Sequence, residues 1–147
     1  MELRILPMSQ SDEFNDISTI EVQTEFFLKD LPSKKGKYLY KKSGLLSSRD
    51  DFVLFQYDNR IVALATLINI EVFETPEGVN KEYHGAFYFE PCSIAIFDPI
   101  IEEEIENIWP NYFKGYNQIK YNLPISEFSR LFKLLTFKHI QYYNTKI

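Results

Sequence analysis

The stretch "DFVLFQYDNRIVALATLINIEVF", Asp51–Phe73, decides the fold class. Two apolar runs meet at Asp58-Asn59, residue types that tolerate the left-handed backbone of a tight hairpin turn. An antiparallel strand pair is therefore predicted. Side chains alternate across a strand, so Val62, Leu64, Thr66, Ile68, Ile70 and Val72 share one face of the second run. Ile61, Ala63, Ala65, Leu67, Asn69 and Glu71 share the other. The first set is expected to face the core; the second turns polar toward its end and carries two alanines where another group could approach closely. A strand that starts apolar on both faces suits the centre of a small barrel.

Working outward, "LRILPM" (Leu3–Met8) reads as a short first strand with Pro7 near its end or at a sheet edge. Between them, "SDEFNDISTIEVQTEFFLKDLP" offers Ser11 or Asp12 as a helix cap and Phe14, Ile17, Val22, Phe26 and Phe27 as apolar positions. Its periodicity is imperfect, and the β-branched "ISTIEV" leaves a strand as the alternative. Beyond the hairpin, "TPEGVNKEYHG" reads as a polar loop, and "AFYFE" and "SIAIFDP" as two further strands.

At Asp98-Pro99 the period changes. Asp98 is expected to cap a helix, with Pro99 in its first turn and Glu102, Glu103 and Glu104 favoured by the helix dipole. Ile101, Ile105, Ile108 and Trp109 form its apolar stripe, and Pro110 ends it. The loop "PNYFKGYNQ" leads to a candidate strand "QIKYNL". A last helix, "SEFSRLFKLLTFKHI", is capped by Ser126, with Phe128, Leu131, Phe132 and Leu135 inward and His139 in its polar end. Strands gathered in the middle with helices near the ends indicate an α+β domain on a small β-barrel of about five to six strands. One domain over 1–147 is the natural reading for a chain of 147 residues.

Several chemistries are excluded by inventory. Two histidines, His84 and His139, have no cysteine or acid at ligand spacing, so no metal site is expected. No phosphate-loop, dinucleotide or nucleophile-elbow motif occurs, and no cofactor is expected. His84 and His139 read as ordinary surface residues. Glu102–Glu104 with Glu106 read as a solvated helix face rather than metal ligands, and Asp50-Asp51 as a turn. Cys92, the only cysteine, sits in an apolar run and reads as a small buried hydrophobe, which rules out a disulfide framework. No leader-like N-terminus and no long apolar stretch is present, so a soluble, cytoplasmic, non-membrane protein is expected.

What remains are binding features. "SKKGKYLYKKSG", Ser33–Gly44, holds five lysines and two tyrosines in a chain of formal net charge −5, so everything outside it carries −10 (−5 minus +5). If extended, it places Lys37, Leu39 and Lys41 on one side and Tyr38, Tyr40 and Lys42 on the other. Ammonium groups meet phosphates while rings offer flat faces to bases; the bland alternative is a solvated loop. "IWPNYFKGYNQIKYN" adds Trp109, Tyr112, Phe113, Tyr116, Gln118 and Lys120, either as a cap on the core or as one wall of a pocket. Gln56, a polar residue inside "VLFQY", either faces solvent or pairs within a pocket. Aromatics at 16% exceed the need of a small core.

In order, "GKYLYKKSGL", "DDFVLFQYDNRIVALATL", "SIAIFDPI…EEIENIWP" and "FKGYNQIKYNL" resemble the PUA-like N-terminal domains of bacterial HNH-type restriction endonucleases, relatives of the EVE and YTH modules. The resemblance spans roughly residues 30–123, through short motifs. It implies a small barrel that accepts a flipped, modified base in an aromatic cage while basic loops hold the nucleic acid, DNA rather than RNA. On ring inventory and spacing, Tyr38, Tyr40, Phe55, Gln56, Trp109 and Gln118 are the candidate base-binding residues. Lys37, Lys41, Lys42 and Lys120 are the candidate phosphate contacts, and no residue is singled out as catalytic. The histidine-rich nuclease domain of that family is absent from the sequence, and the net acidity departs from a duplex binder. Two rivals stand beside this reading. One is a small amidohydrolase of the related ASCH branch acting on modified nucleosides, which needs a lysine and an acid in one pocket. The other is a protein-interaction domain whose exposed aromatics form an oligomer interface, a homodimer in the simplest case.

Overall fold

The computed structural model describes residues 3–9, 14–41, 51–108 and 125–143, the side chains of 125–128 excepted. Strand β1 (Leu3–Pro7) is followed by a helical stretch α1 over residues 19–33, then β2 (Lys37–Tyr40), β3 (Asp51–Tyr57) and β4 (Arg60–Glu77). Next come β5 (Tyr83–Phe89), β6 (Ala95–Ile100), α2 (Glu102–Ile108), α3 (Ile125–Leu135) and the two-residue β7 (Gln141–Tyr142).

The predicted hairpin is present. Asp58 and Asn59 carry positive φ angles of 50° and 56°, and β3 pairs antiparallel with β4 from Tyr57↔Arg60 to Asp51↔Leu67. β4 is central: its first half lies between β3 and β6, and its second half pairs with β5. β1 adds to β3 in parallel and β2 to β5 in antiparallel. The result is a mixed seven-stranded sheet in an α+β fold. Among the described residues no pairing joins β1 to β2 or β7, so the sheet is not closed into the expected barrel. No helix among them is long and apolar enough to cross a membrane.

β4 confirms burial on both faces as far as Leu67, where Ile61, Val62, Ala63 and Ala65 are sealed. Its second half behaves differently. The strand continues through "TPE", expected to be loop, and projects with β5, leaving Val72 74% exposed rather than in the core. The reason is local: β3 ends its pairing at Leu67, and beyond it only β5 lies alongside.

The imperfect periodicity of residues 11–32 has a physical cause. The helix that starts at Thr19 is capped by Ser18, whose hydroxyl accepts the Glu21 N–H; the expected caps Ser11 and Asp12 lie outside the described residues. Over Val22–Asp30 it is a π-helix; at its end the Leu31 N–H donates to the Phe26 carbonyl, five residues back. This wider turn breaks the 3.6-residue apolar repeat. It buries Val22, Gln23 and Phe27 on the sheet and leaves the neighbouring Phe26 half-buried.

Asp98 and Pro99 are corrections of a second kind. Both lie in β6, and α2 starts later, at Glu102, with the Glu104 carboxylate reaching back to the Ile101 N–H at 3.2 Å. The β4–β6 register shifts between Ile61↔Ile100 and Ala63↔Ile96, and Pro99, which has no N–H to donate, occupies that irregularity. Asp98 is exposed and meets His139 Nδ1 at 2.7 Å, beyond the end of α3. In α3, Leu131 and Leu135 are buried, whereas Phe132 is 40% exposed rather than inward. Asp51, expected in a turn, begins β3 fully buried. Cys92, expected in the core, is exposed in a 3-10 turn at Pro91–Ser93.

Candidate functional site

The basic strip is a strand where it is described. β2 pairs with β5 through Lys37↔Tyr88, Tyr38↔Phe87, Leu39↔Ala86 and Tyr40↔Gly85. The alternation is as expected, with its direction now set: both tyrosines point into the core and Lys37 and Leu39 point outward. The turn that follows helix α1 closes at Gly36, whose φ is +79° and whose carbonyl accepts the Phe89 N–H at 2.9 Å. A Cβ there would fall inside the Phe89 carbonyl, so a glycine is required to turn the chain from α1 into β2.

Tyr40 lies over Gly85 and stacks on Phe87, with centroids 4.6 Å apart and planes 25° from parallel. Its hydroxyl reaches the Glu71 carbonyl at 3.4 Å. Burial pushes that hydroxyl above the ordinary tyrosine range. Phe55 is sealed among Phe27 (4.8 Å), Phe89 (5.1 Å) and Tyr38 (6.1 Å). Neither ring has a face open to a base, because the strand alternation that orders them also buries them. Gln56 is buried on β3, opposite Pro7 of β1, and lines no cavity identified among the described residues. Trp109, Gln118, Lys42 and Lys120 lie outside the described residues.

Tyr38 is different. It is buried, yet it borders a cavity of about 470 Å³ between α1, β2 and the outer end of the β4–β5 hairpin. The walls are Phe14, Ile17, Phe26, Tyr38, Leu39 and Tyr83, with Glu25, Asp30, Lys34, Lys37 and Glu77 among the lining groups. The rings form corners rather than a sandwich. Phe26 meets Phe14 at 5.0 Å and 80°, and Tyr38 at 5.9 Å and 85°, both edge-to-face. A planar ligand can lie on one such ring while the edges of the others bound it. The cavity floor is held by Tyr57, which packs edge-on to Phe14 at 5.6 Å and donates from its hydroxyl to the Ile17 carbonyl at 2.6 Å. Burial holds the Tyr57 hydroxyl above its ordinary range, with Asp16, Asp58 and Glu21 adding to the shift.

The charges at the cavity are mixed. Glu25 pairs with Lys29 at 3.1 Å, and the Lys37 ammonium lies 5.6 Å from the centre of the Phe73 ring. Among the described residues, Lys34, Asp30 and Glu77 engage in no ion pair. A larger, shallower cleft of about 940 Å³ lies at the β3–β4 turn and α2, lined by Asp58, Arg60, Glu102, Glu103 and Glu106. It has no aromatic wall, and its one cation, Arg60, is held by Asp58 at 2.8 Å. Such a cleft repels phosphate and offers nothing to stack on.

The residues that sequence reasoning missed are Phe14, Phe26, Tyr83 and Lys34. Phe14 and Phe26 were legible only as apolar helix positions, and Tyr83 sat in a segment read as loop. Lys34 was visible as part of the basic strip without a role of its own. Comparison with known proteins finds no matching family model, no matching curated protein and no matching solved structure.

Proposed function

We propose that this chain is a non-catalytic nucleic-acid-binding module that takes one extruded, modified base into the cavity beside α1 and β2. The observation that carries the reading is that Lys37 and Tyr38 of the basic strip both line an aromatic cavity, with Lys34 beside them. Aromatic walls stack a base at about 1–3 kcal/mol per contact, and ammonium groups hold the flanking phosphates. A volume of about 470 Å³ lies within the range that accepts a small planar ligand. The cage expected from ring inventory is thereby recast: Tyr38 and Lys37 stay, Phe14, Phe26 and Tyr83 join them, and Tyr40 and Phe55 serve as the packing behind. The PUA-like assignment, DNA as the partner, and a role as a stand-alone reader or a specificity domain belong to the same proposal. They rest on the sequence resemblance across residues 30–123.

The test is a panel of short duplexes and single strands carrying plain and modified bases, each titrated over a salt series. Preference for one modification, with affinity falling as salt rises, supports the reading. Binding that responds to salt but not to the base reduces the surface to a phosphate contact, and a flat panel removes the function altogether.

A hydrolytic reading gains from one fact, that Lys34 and Lys37 share the cavity with Glu25, Asp30 and Glu77. Incubation with N4-acetylcytidine and chromatography for released acetate separates it from simple binding. Time-dependent product, abolished in Lys34→Ala or Lys37→Ala, would establish it.

A further inference from the structure

We infer that the cavity prefers a base carrying a fixed positive charge, as alkylation of a ring nitrogen produces, over the neutral bases. This rests on the nucleobase reading above. The cavity brings two kinds of group to one ligand that both favour positive charge. Phe26 and Tyr83 are among its walls, and an aromatic ring attracts a cation through its quadrupole. Ionised carboxylates accept hydrogen bonds and donate none.

Three acidic residues, Glu25, Asp30 and Glu77, line the space with two lysines, Lys34 and Lys37. Lys29 compensates Glu25, but among the described residues Asp30 and Glu77 have no cation of their own. Those two groups oppose a phosphate and gain only hydrogen bonds from a neutral ring. With a cationic ring they gain an attraction that partial desolvation strengthens. The lysines then find their role in the anionic half of the same ligand. A nucleotide with a cationic base and an anionic phosphate carries both signs, and so does the cavity wall.

The experiment is calorimetric titration of the full chain, near neutral pH, with 1-methyl-AMP and 7-methyl-GMP against AMP and GMP. The methylated nucleotides are expected to bind about tenfold tighter, the size of a partly desolvated cation–π contact. In the Asp30→Asn/Glu77→Gln double variant, checked for retained fold by circular dichroism, the preference should shrink, while affinity for AMP and GMP should rise because the carboxylates that oppose the phosphate are gone. Equal affinity for methylated and plain nucleotides in the unaltered chain overturns the charge preference and leaves the nucleobase reading standing. A preference untouched by the double variant overturns its assignment to Asp30 and Glu77. Binding of none of these nucleotides overturns both.

Discussion

The side-chain amide of Gln23 donates to the Phe97 carbonyl at 2.7 Å and to the Val62 carbonyl at 3.0 Å. Gln23 is buried in the π-helical part of α1, and the two carbonyls belong to β6 and β4, where their register shifts. One amide thus satisfies both acceptors left by the irregularity and ties the helix to the sheet. Gln23→Leu keeps the volume but leaves two buried carbonyls unpaired, at roughly 1–3 kcal/mol each. A loss of at least about 2 kcal/mol is expected in urea unfolding. An unchanged midpoint would mean that the carbonyls find other donors and that the tie has no weight.

Gly36 is the joint between helix and site. Its φ of +79° and the closeness of the Phe89 carbonyl leave no space for a side chain. Gly36→Ala pays about 1–2 kcal/mol for the left-handed backbone alone, and relief of the overlap must move β2 away from β5. Because Lys37 and Tyr38 follow directly, the variant should lose both thermal stability and nucleotide affinity. A variant with full affinity and a lowered melting temperature would separate the site from this turn.

Tyrosine ionisation sets the alkaline limit. Tyr40 and Tyr57 are raised by burial, and Tyr88 by its hydrogen bond to Glu71 at 2.7 Å. A raised folded value means the folded state holds its proton more tightly. The stability this contributes is complete below the unfolded value, about 10, and is lost as pH rises through the folded value. Melting temperature should therefore hold to about pH 10 and fall beyond it. Tyr57→Phe should cost about 0.5–1.5 kcal/mol near neutrality through the lost bond to Ile17 and make the alkaline fall shallower. Ultraviolet titration of phenolate absorbance, showing a late-ionising fraction, checks the same point.

How much was legible follows the range of the interactions. The Asp51–Phe73 hairpin was readable because alternation and a two-residue turn are local properties. The register of α1 was not, since a π-helix leaves no 3.6-residue repeat to find. Pro99 read as a helix start because its missing N–H suits that position equally well; the bulge in β6 that accommodates it forms only against its partner strand β4. For Tyr38 and Tyr40 the alternation was readable and its direction was not, because Gly85 of β5 decides which side is the core. The cavity draws on α1, β2 and the hairpin tip, and no single stretch of sequence contains it.

Phe26 and Phe55 separate the site from the core behind it. Phe55 is fully buried, and Phe55→Ala should cost about 3–5 kcal/mol, the usual range for emptying a core ring. Phe26 is half-buried and borders the cavity, so Phe26→Ala should cost less in stability while removing one wall of the proposed base site. Lys34→Ala and Lys37→Ala should weaken binding to all sequences alike and flatten its salt dependence by about one unit of slope each. Measured together by urea unfolding and salt-resolved titration, the four variants should fall into three groups. Were Phe26→Ala to bind as well as the parent while the lysine variants lost affinity, the aromatic cavity would have no part in recognition and only the phosphate contacts would survive.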